Sequence, residues 1–320
     1  MDRYEYSTPT MGTILKLVVY ADDQTTAQRW IDVCLEEIER LMPILSNYSS
    51  DSEISKLNKQ WGTSTVVSED LYRVLAHSHR WYELTGGAFD ITSGAVFELW
   101  KQARKTLSVP SQPQLRDAMD ACGWQYVELS KSKSATDPQD RYQVTVRRKG
   151  LVLDVSGIAT GYMIDSAIER MTQAGCSSYL IDIGGDIRLG DPPEGKSGWT
   201  VQIAGLRKDS PPMMQLSLAN CALTTSGDRN QSTIIDGVTY SHLIDPRIAK
   251  PLMNHQSSTA ICGRTLDADA AATALSVLGL RQSSVLFDRL GIDQAILMVC
   301  DSSQVEKKDS PASFLRLLRG

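Results

Sequence analysis

Apolar positions along this chain recur with two different periods, and the switches between them mark its elements. Residues 13–20 (TILKLVVY) are β-branched and apolar, whereas from Thr25 to Leu45 the residues Trp30, Val33, Cys34, Ile38, Leu41 and Met42 recur at helical spacing. Strand followed by helix is the prediction. Ser50-Asp51-Ser52-Glu53 has the form of a capping box before Ile54 and Leu57, and Ser68-Glu69-Asp70 opens an amphipathic helix that runs through Leu84 to Gly86-Gly87. A third helix is predicted over 94–105. Pro110 and Pro113 bracket a loop before a short helix at 115–122.

From Trp124 the pattern favours strands, over 124–129, 141–148 and 151–155, with Lys149-Gly150 as a hairpin turn and a polar loop over 131–140. A helix over 159–174 ends at Gly175. Strands follow at 178–183, 186–190, 199–204, 214–219, 222–225 and 232–236, with Asp236-Gly237 as another hairpin turn. A strand at 258–263, helices at 267–278 and 281–290 and a strand at 293–300 complete the pattern. Helices and strands in mixed order, joined by several hairpins, predict an α+β fold with largely antiparallel sheets. Without repeats, low-complexity tracts or a linker, residues 1–320 read as one domain in which no boundary between halves is visible.

At 320 residues and 42% hydrophobic content the chain is long enough to bury a substantial core. A net charge of −5 without a Lys/Arg stripe argues against nucleic acid or an anionic membrane as partner, and no segment reads as a membrane span. Charged Asp2, Arg3 and Glu5 follow Met1, so no apolar signal core is present. Cys34, Cys122, Cys176, Cys221, Cys262 and Cys300 lie far apart with no CxxC pair and read as buried free thiols. The expectation is a cytoplasmic protein, the alternative being an exported or membrane-anchored one whose signal has been removed.

Chemistry concentrates in Thr265-Leu266-Asp267-Ala268-Asp269-Ala270-Ala271-Ala272-Thr273-Ala274-Leu275, where carboxylates and a hydroxyl stand among alanines. Asp269 and Thr273 are one helical turn apart on one face, where both oxygens can meet one hard cation of the magnesium type. The plainer alternative is that Asp267 or Asp269 caps a closely packed helix. Neither GxGxxG after a strand nor GxxxxGK[ST] occurs, so a dinucleotide would have to bind in another way. His77 and His79, two apart on a helix, point to different sides and read as surface residues rather than a zinc pair.

Five further segments combine Gly, Asp, Thr or Ser with an apolar element: Met11-Gly12-Thr13, Ser46-Asn47-Tyr48, Thr85 to Thr92 (TGGAFDIT), Asp154 to Tyr162 (DVSGIATGY) and Ser241 to Pro246 (SHLIDP). Alone, each fits a turn, an Asx turn or a helix start. Together with Gly184-Gly185-Asp186, Thr225-Ser226-Gly227-Asp228 and the Asp269 helix, their order resembles the ApbE family, the FAD:protein FMN transferases, from about Tyr6 to Cys300.

The resemblance implies a two-lobed mixed α/β body with FAD in the cleft between lobes. It also implies magnesium-dependent transfer of FMN from FAD to a Thr or Ser hydroxyl of a target protein, with release of AMP. It assigns Met11, Tyr48, Ala88, Phe89, Asp90, Asp154, Thr160 and Leu243 to FAD, Tyr48 as the aromatic that stacks on the flavin. Gly157, Asp269, Ala272 and Thr273 correspond to the metal site. Thr160 departs from the family, which usually has Lys or Glu there. Magnesium prefers about six oxygens, so such a site leaves room for a pyrophosphate, and glycine amides near Gly184-Gly185 could help to hold it. The hydroxyl's proton needs a base. His242 is the candidate because imidazole titrates near neutrality, with Asp245 or Asp228 as orienting partners. Two other readings use the same motifs: an FAD pyrophosphatase yielding FMN and AMP, and a non-catalytic FAD-binding protein.

Overall fold

The computed structural model describes residues 1–133, 140–206, 211–227, 232–253, 255–300 and 313–318. In chain order its elements are β1 (Asp2–Thr10), β2 (Thr13–Ala21), α1 (Gln24–Leu45), α2 (Glu53–Leu57), β3 (Ser64–Val67), α3 (Glu69–Thr85), α4 (Gly94–Thr106), α5 (Gln112–Ala121), β4 (Val127–Lys133), β5 (Asp140–Val146) and α6 (Ala159–Gln173). There follow β6 (Tyr179–Ile183), β7 (Asp186–Leu189), β8 (Trp199–Ile203), β9 (Met214–Leu218), β10 (Ala222–Gly227), β11 (Ser232–Ile235), β12 (Val238–Ser241), β13 (Ile244–Asp245), β14 (Lys250–Pro251), β15 (His255–Cys262), α7 (Thr265–Leu290), β16 (Gln294–Cys300) and β17 (Ser313–Leu318). They form two compact units: Met1–Arg40, Thr160–Gln231 and Asn254–Gly320 make the first, Leu41–Ala159 and Ser232–Met253 the second.

The first unit is built on an eight-stranded sheet in the order β1-β2-β6-β7-β10-β15-β16-β17, every neighbouring pair antiparallel. On one face Val18, Leu189, Leu223, Ile261, Ile296 and Met298 pack against Trp199, Val201 and Ile203 of the β8–β9 ribbon. Each such side chain contributes about 1.5–3 kcal/mol when fully buried. Helix α7 packs on β10 and β15 with Ala268, Ala270, Ala271, Ala272 and Ala274 fully enclosed, because small side chains let a helix approach a sheet closely. Its composition alone is apolar enough to cross a membrane, but its apolar residues are largely enclosed in this packing. Gly279, at φ 65°, interrupts the helical backbone where the sequence predicts a break between two helices.

The second unit pairs a three-stranded antiparallel sheet, β3-β5-β4, with helices α2 to α5 and the ribbons β11–β12 and β13–β14. Its core joins Val96, Trp100, Ala103, Leu115 and Ala118 to Ile235, Ile244 and Ala249, and the Trp100 indole donates to the Ala249 carbonyl at 2.9 Å.

Several expectations change. No strand forms over 151–155: after the turn at Gly150 that segment's backbone is held partly by side-chain amides. Asn58 Oδ1 accepts from Leu153 N–H at 2.8 Å and Asn47 Oδ1 from Val155 N–H at 2.9 Å, while both Nδ2 groups donate to the Leu153 carbonyl. The two asparagines take Leu153 and Val155, while the backbone of Ile91 and Gly94 bonds to Asp154 N–H and the Val152 carbonyl. The hairpin here is instead β4–β5, and residues 134–139 of the expected polar loop lie outside the described residues. Helix α2 is capped by Ser52 rather than Ser50, its Oγ accepting from Ser55 N–H, while Glu53 accepts from Ser68 N–H at 2.6 Å. Helix α5 begins before Pro113, which fits in a first turn where an N–H has no helical partner. Strand β1 is missing from the sequence reading because as an edge strand it alternates half-buried Tyr4 and Tyr6 with exposed polar residues. His79 remains at the surface with its side chain 44% exposed, one side of its ring packing on Trp124 with centroids 4.7 Å apart, whereas Cys122 and Cys221 are half-buried rather than buried.

Candidate functional site

Polar oxygens gather in the first unit where α7 crosses β10. Asp269 is 6% exposed, and its Oδ2 accepts from the N–H of Gly161 in α6 at 3.3 Å. Gly161 must be glycine: a Cβ there would lie 2.6 Å from the Thr265 carbonyl oxygen and 2.8 Å from Leu266 N and Cα. One turn beyond Asp269, Thr273 Oγ1 lies 3.2 Å from Ser226 Oγ on β10. Thr224 shares the Ser226 face of that strand, since side chains alternate, and Asp186 of β7 is directly opposite Thr224. Asp186 therefore projects from the same face of the sheet.

Burial is the main force that raises the Asp269 carboxyl well above the ordinary carboxylate range; the charge of Asp186 adds to it and the Gly161 N–H opposes it. Asp186 is raised as well, by burial first and also by Asp182, against the Thr224 hydroxyl. Two carboxylates whose charges oppose one another, with the Thr224 hydroxyl beside Asp186 and Thr273 one turn from Asp269, form an oxygen-only donor set suited to a hard divalent cation. Among the described residues no three His, Cys, Asp or Glu side chains converge into a cage, so a cation here needs further oxygens from a ligand or water. Ala272, expected to offer its carbonyl, also accepts from Ser276 Oγ at 3.1 Å beside its place in the helical ladder. Its evident contribution is the small side chain that lets α7 approach.

The remaining first-unit residues occupy turns. Met11 and Gly12, with φ 48° and 75°, close the β1–β2 hairpin, and the Met11 side chain is partly exposed. Thr160 lies half-buried in the first turn of α6. Gly184-Gly185, both at positive φ, form the two-residue turn between the paired Ile183 and Asp186, and the Gly185 N–H donates to Asp182 Oδ1 at 2.9 Å. That amide is engaged within its own hairpin, so the expected role of these glycines in holding pyrophosphate does not extend to it. Asp228 lies outside the described residues.

In the second unit, Tyr48 is 82% exposed with the Lys101 ammonium 5.1 Å from its ring centre. Ala88 and Phe89 are buried, so what they can present to a ligand is backbone. Asp90 accepts from the N–H and Oγ1 of Thr92 at 2.9 and 2.7 Å and from Ser93 Oγ at 3.3 Å; burial nonetheless raises its carboxyl above the usual value. Asp154 donates its N–H to the Ile91 carbonyl and accepts from Ser156 N–H at 3.0 Å, which ties the Asp90 and Asp154 segments together. Gly157 lies in the turn that leads directly into α6.

His242 and Leu243 are half-buried between β12 and β13, the Leu243 N–H donating to Ser241 Oγ and its carbonyl accepting from Leu252. Both Asp245 oxygens are taken up by Arg247, at 2.9 Å from Nε and 2.7 Å from Nη2, which gives Asp245 a partner other than the expected His242. Sequence reasoning missed Arg247 and Asn58, and gave Asp186 no role of its own beyond its place in the Gly184-Gly185-Asp186 motif. Pairing two residues apart, as in Asp245-Pro246-Arg247, is a signal that could have revealed the first.

The chain matches the profile of the ApbE family over residues 11–296. An FAD:protein FMN transferase of Treponema pallidum is 30% identical over 306 aligned positions, covering 91% of this chain and 83% of that protein. Another so named, from Vibrio cholerae, is 28% identical over 323 positions, covering 98% and 92%. The crystal structure of the ApbE protein from Thermotoga maritima superposes with a TM-score of 0.83 at 25% identity, covering 98% of this chain and 97% of that one. Agreement of sequence and fold along nearly the whole length makes this chain a member of the ApbE family.

Proposed function

We propose that this chain is an FAD:protein FMN transferase, moving FMN from FAD to a Thr or Ser hydroxyl of a target protein with release of AMP. Relatives from T. pallidum and V. cholerae carry that name and align over most of the chain, which supports the reading. The structural observation that carries it is the pairing of Asp269 with Thr273 on an alanine-faced helix, an oxygen pair suited to a cation that would meet a pyrophosphate. The residues that the resemblance assigns to FAD occur in both units, with Tyr48 offering an open aromatic face and the Ala88–Asp90 segment its backbone.

In the transfer, the acceptor oxygen forms a bond to the phosphorus of the FMN half while the bond from that phosphorus to the bridging oxygen breaks. AMP departs with that oxygen, and the hydroxyl proton passes to a base. Phosphoryl transfer of this kind depends on positioning and charge neutralisation. Bound magnesium, held by Asp269 and Thr273, would neutralise pyrophosphate oxygens. His242 is the residue we assign to take the proton. Thr160, lacking the charge of Lys or Glu, leaves nucleotide recognition to its neighbours.

AMP release from FAD tests this. The reading requires magnesium and an acceptor domain for full release, with flavin bound covalently to that domain. Release of AMP and free FMN at a rate independent of acceptor would make the chain a pyrophosphatase, and bound FAD without turnover would make it a binding protein.

A further inference from the structure

Asp186 stands on the α7 side of this sheet region, and although its Gly184-Gly185-Asp186 motif contributes to the resemblance, neither the resemblance nor the proposed reaction gives its carboxylate a role. Its position is fixed by the fold rather than by a flexible side chain alone. The Gly184-Gly185 turn places it as the first residue of β7, opposite Thr224, on the face that Ser226 and Thr273 bring against α7. Asp182, four residues earlier, pairs with Ile187, whose side chain belongs to the other face of the sheet. Thr224 is 2% exposed, and no hydrogen bond of ordinary geometry reaches its Oγ1, although that hydroxyl favours the charged form of Asp186. A buried hydroxyl left in this state beside the Asp186 carboxylate points to a missing electrophilic partner.

Charge makes the same point. Asp269 and Thr273 offer one negative charge to a dication, whereas Asp186 and Asp269 together offer two. Asp186 is also half-buried rather than sealed, so an incoming ion can reach it. We propose that Asp186 is the second carboxylate of the cation site, facing the ion held by Asp269 and Thr273 directly or through one water, with the Gly184-Gly185 turn as its positioning device. This rests on the magnesium reading of the proposed function.

The test uses the flavin-free, full-length protein and magnesium chloride alone, reading melting temperature against ion concentration. The unsubstituted protein should show a saturable rise. Asp186→Asn should move its midpoint to at least about tenfold higher magnesium, as loss of a carboxylate near the ion does in metal sites generally. Asp182→Asn should leave the midpoint within about twofold, since its carboxylate belongs to the other face. A midpoint in Asp186→Asn within twofold of the unsubstituted protein overturns the role of Asp186 while leaving the Asp269 site standing. Absence of any magnesium-dependent rise in the unsubstituted protein overturns both. If Asp186→Asn fails to fold, the same titration of Asp186→Ser decides by the same criteria.

Discussion

Substituting Gly161 by Ala tests how tightly the acidic site is locked to the packing of α6 on α7. In an unobstructed helix the change would gain about 1 kcal/mol, since alanine loses less backbone entropy than glycine. Here the added methyl would sit 2.6 Å from the Thr265 carbonyl oxygen and 2.8 Å from Leu266 N and Cα, all backbone atoms that cannot rotate aside. Overpacking costs about 1–3 kcal/mol, and three simultaneous backbone overlaps place this site at the upper end. The net is a loss of about 2 kcal/mol. For a cooperative unit of this size that lowers Tm by roughly 4–8 °C. Gly263, around which a Cβ would meet nothing within 4 Å, is the control, and its alanine variant should stay within about 0.5 kcal/mol. Scanning calorimetry of both variants measures the difference. A Gly161→Ala protein as stable as the parent, or more so, would refute the close approach and with it the anchoring of Asp269 through the Gly161 N–H.

Glu37 is 3% exposed; burial opposes its charge, but bonds from Arg40, Ser166 and Arg170 prevail and hold its carboxyl at about 2, against an ordinary 4.5. Because the folded value is lower, its stabilisation is present above about pH 4.5 and fades as pH falls towards 2. With both arginines half-exposed we expect about 1–2 kcal/mol, so urea unfolding of Glu37→Gln should show a deficit at pH 7 that shrinks below about pH 4.5 and closes only towards pH 2. Tyr48→Ala should weaken FAD binding about 3–10-fold by calorimetric titration with no change in Tm, the side chain being almost fully exposed. His242→Ala should slow transfer roughly 10²–10⁴-fold under saturating FAD while FAD affinity holds; loss of both together would assign His242 to packing instead.

Helices that repeat an apolar stripe are legible in the sequence: α1, α3, α4 and α6 lie close to where periodicity places them. Segments whose partners are not local are less so. Within 151–155, Leu153 and Val155 bond to Asn47 and Asn58 and Val152 and Asp154 to the backbone of Gly94 and Ile91, all distant in sequence, and nothing in the segment's own composition distinguishes that from a strand. The division into two units is also invisible, because the chain passes from one to the other inside α1, between Arg40 and Leu41, and at the start of α6, between Ala159 and Thr160. No linker composition can mark such a point. At the site, the Asp269 and Thr273 spacing is readable because both lie on one helix. Asp186 is not, since its proximity to Asp269 depends on the β7–β10 register.

The central claim is transfer rather than hydrolysis, and intact-mass measurement of an acceptor domain after incubation with the protein, FAD and magnesium tests it most directly. The account predicts that the acceptor gains the mass of one FMN joined by a phosphoester to a Thr or Ser, with one AMP released per acceptor modified. An acceptor of unchanged mass, alongside AMP and free FMN accumulating in equal amounts, would contradict it.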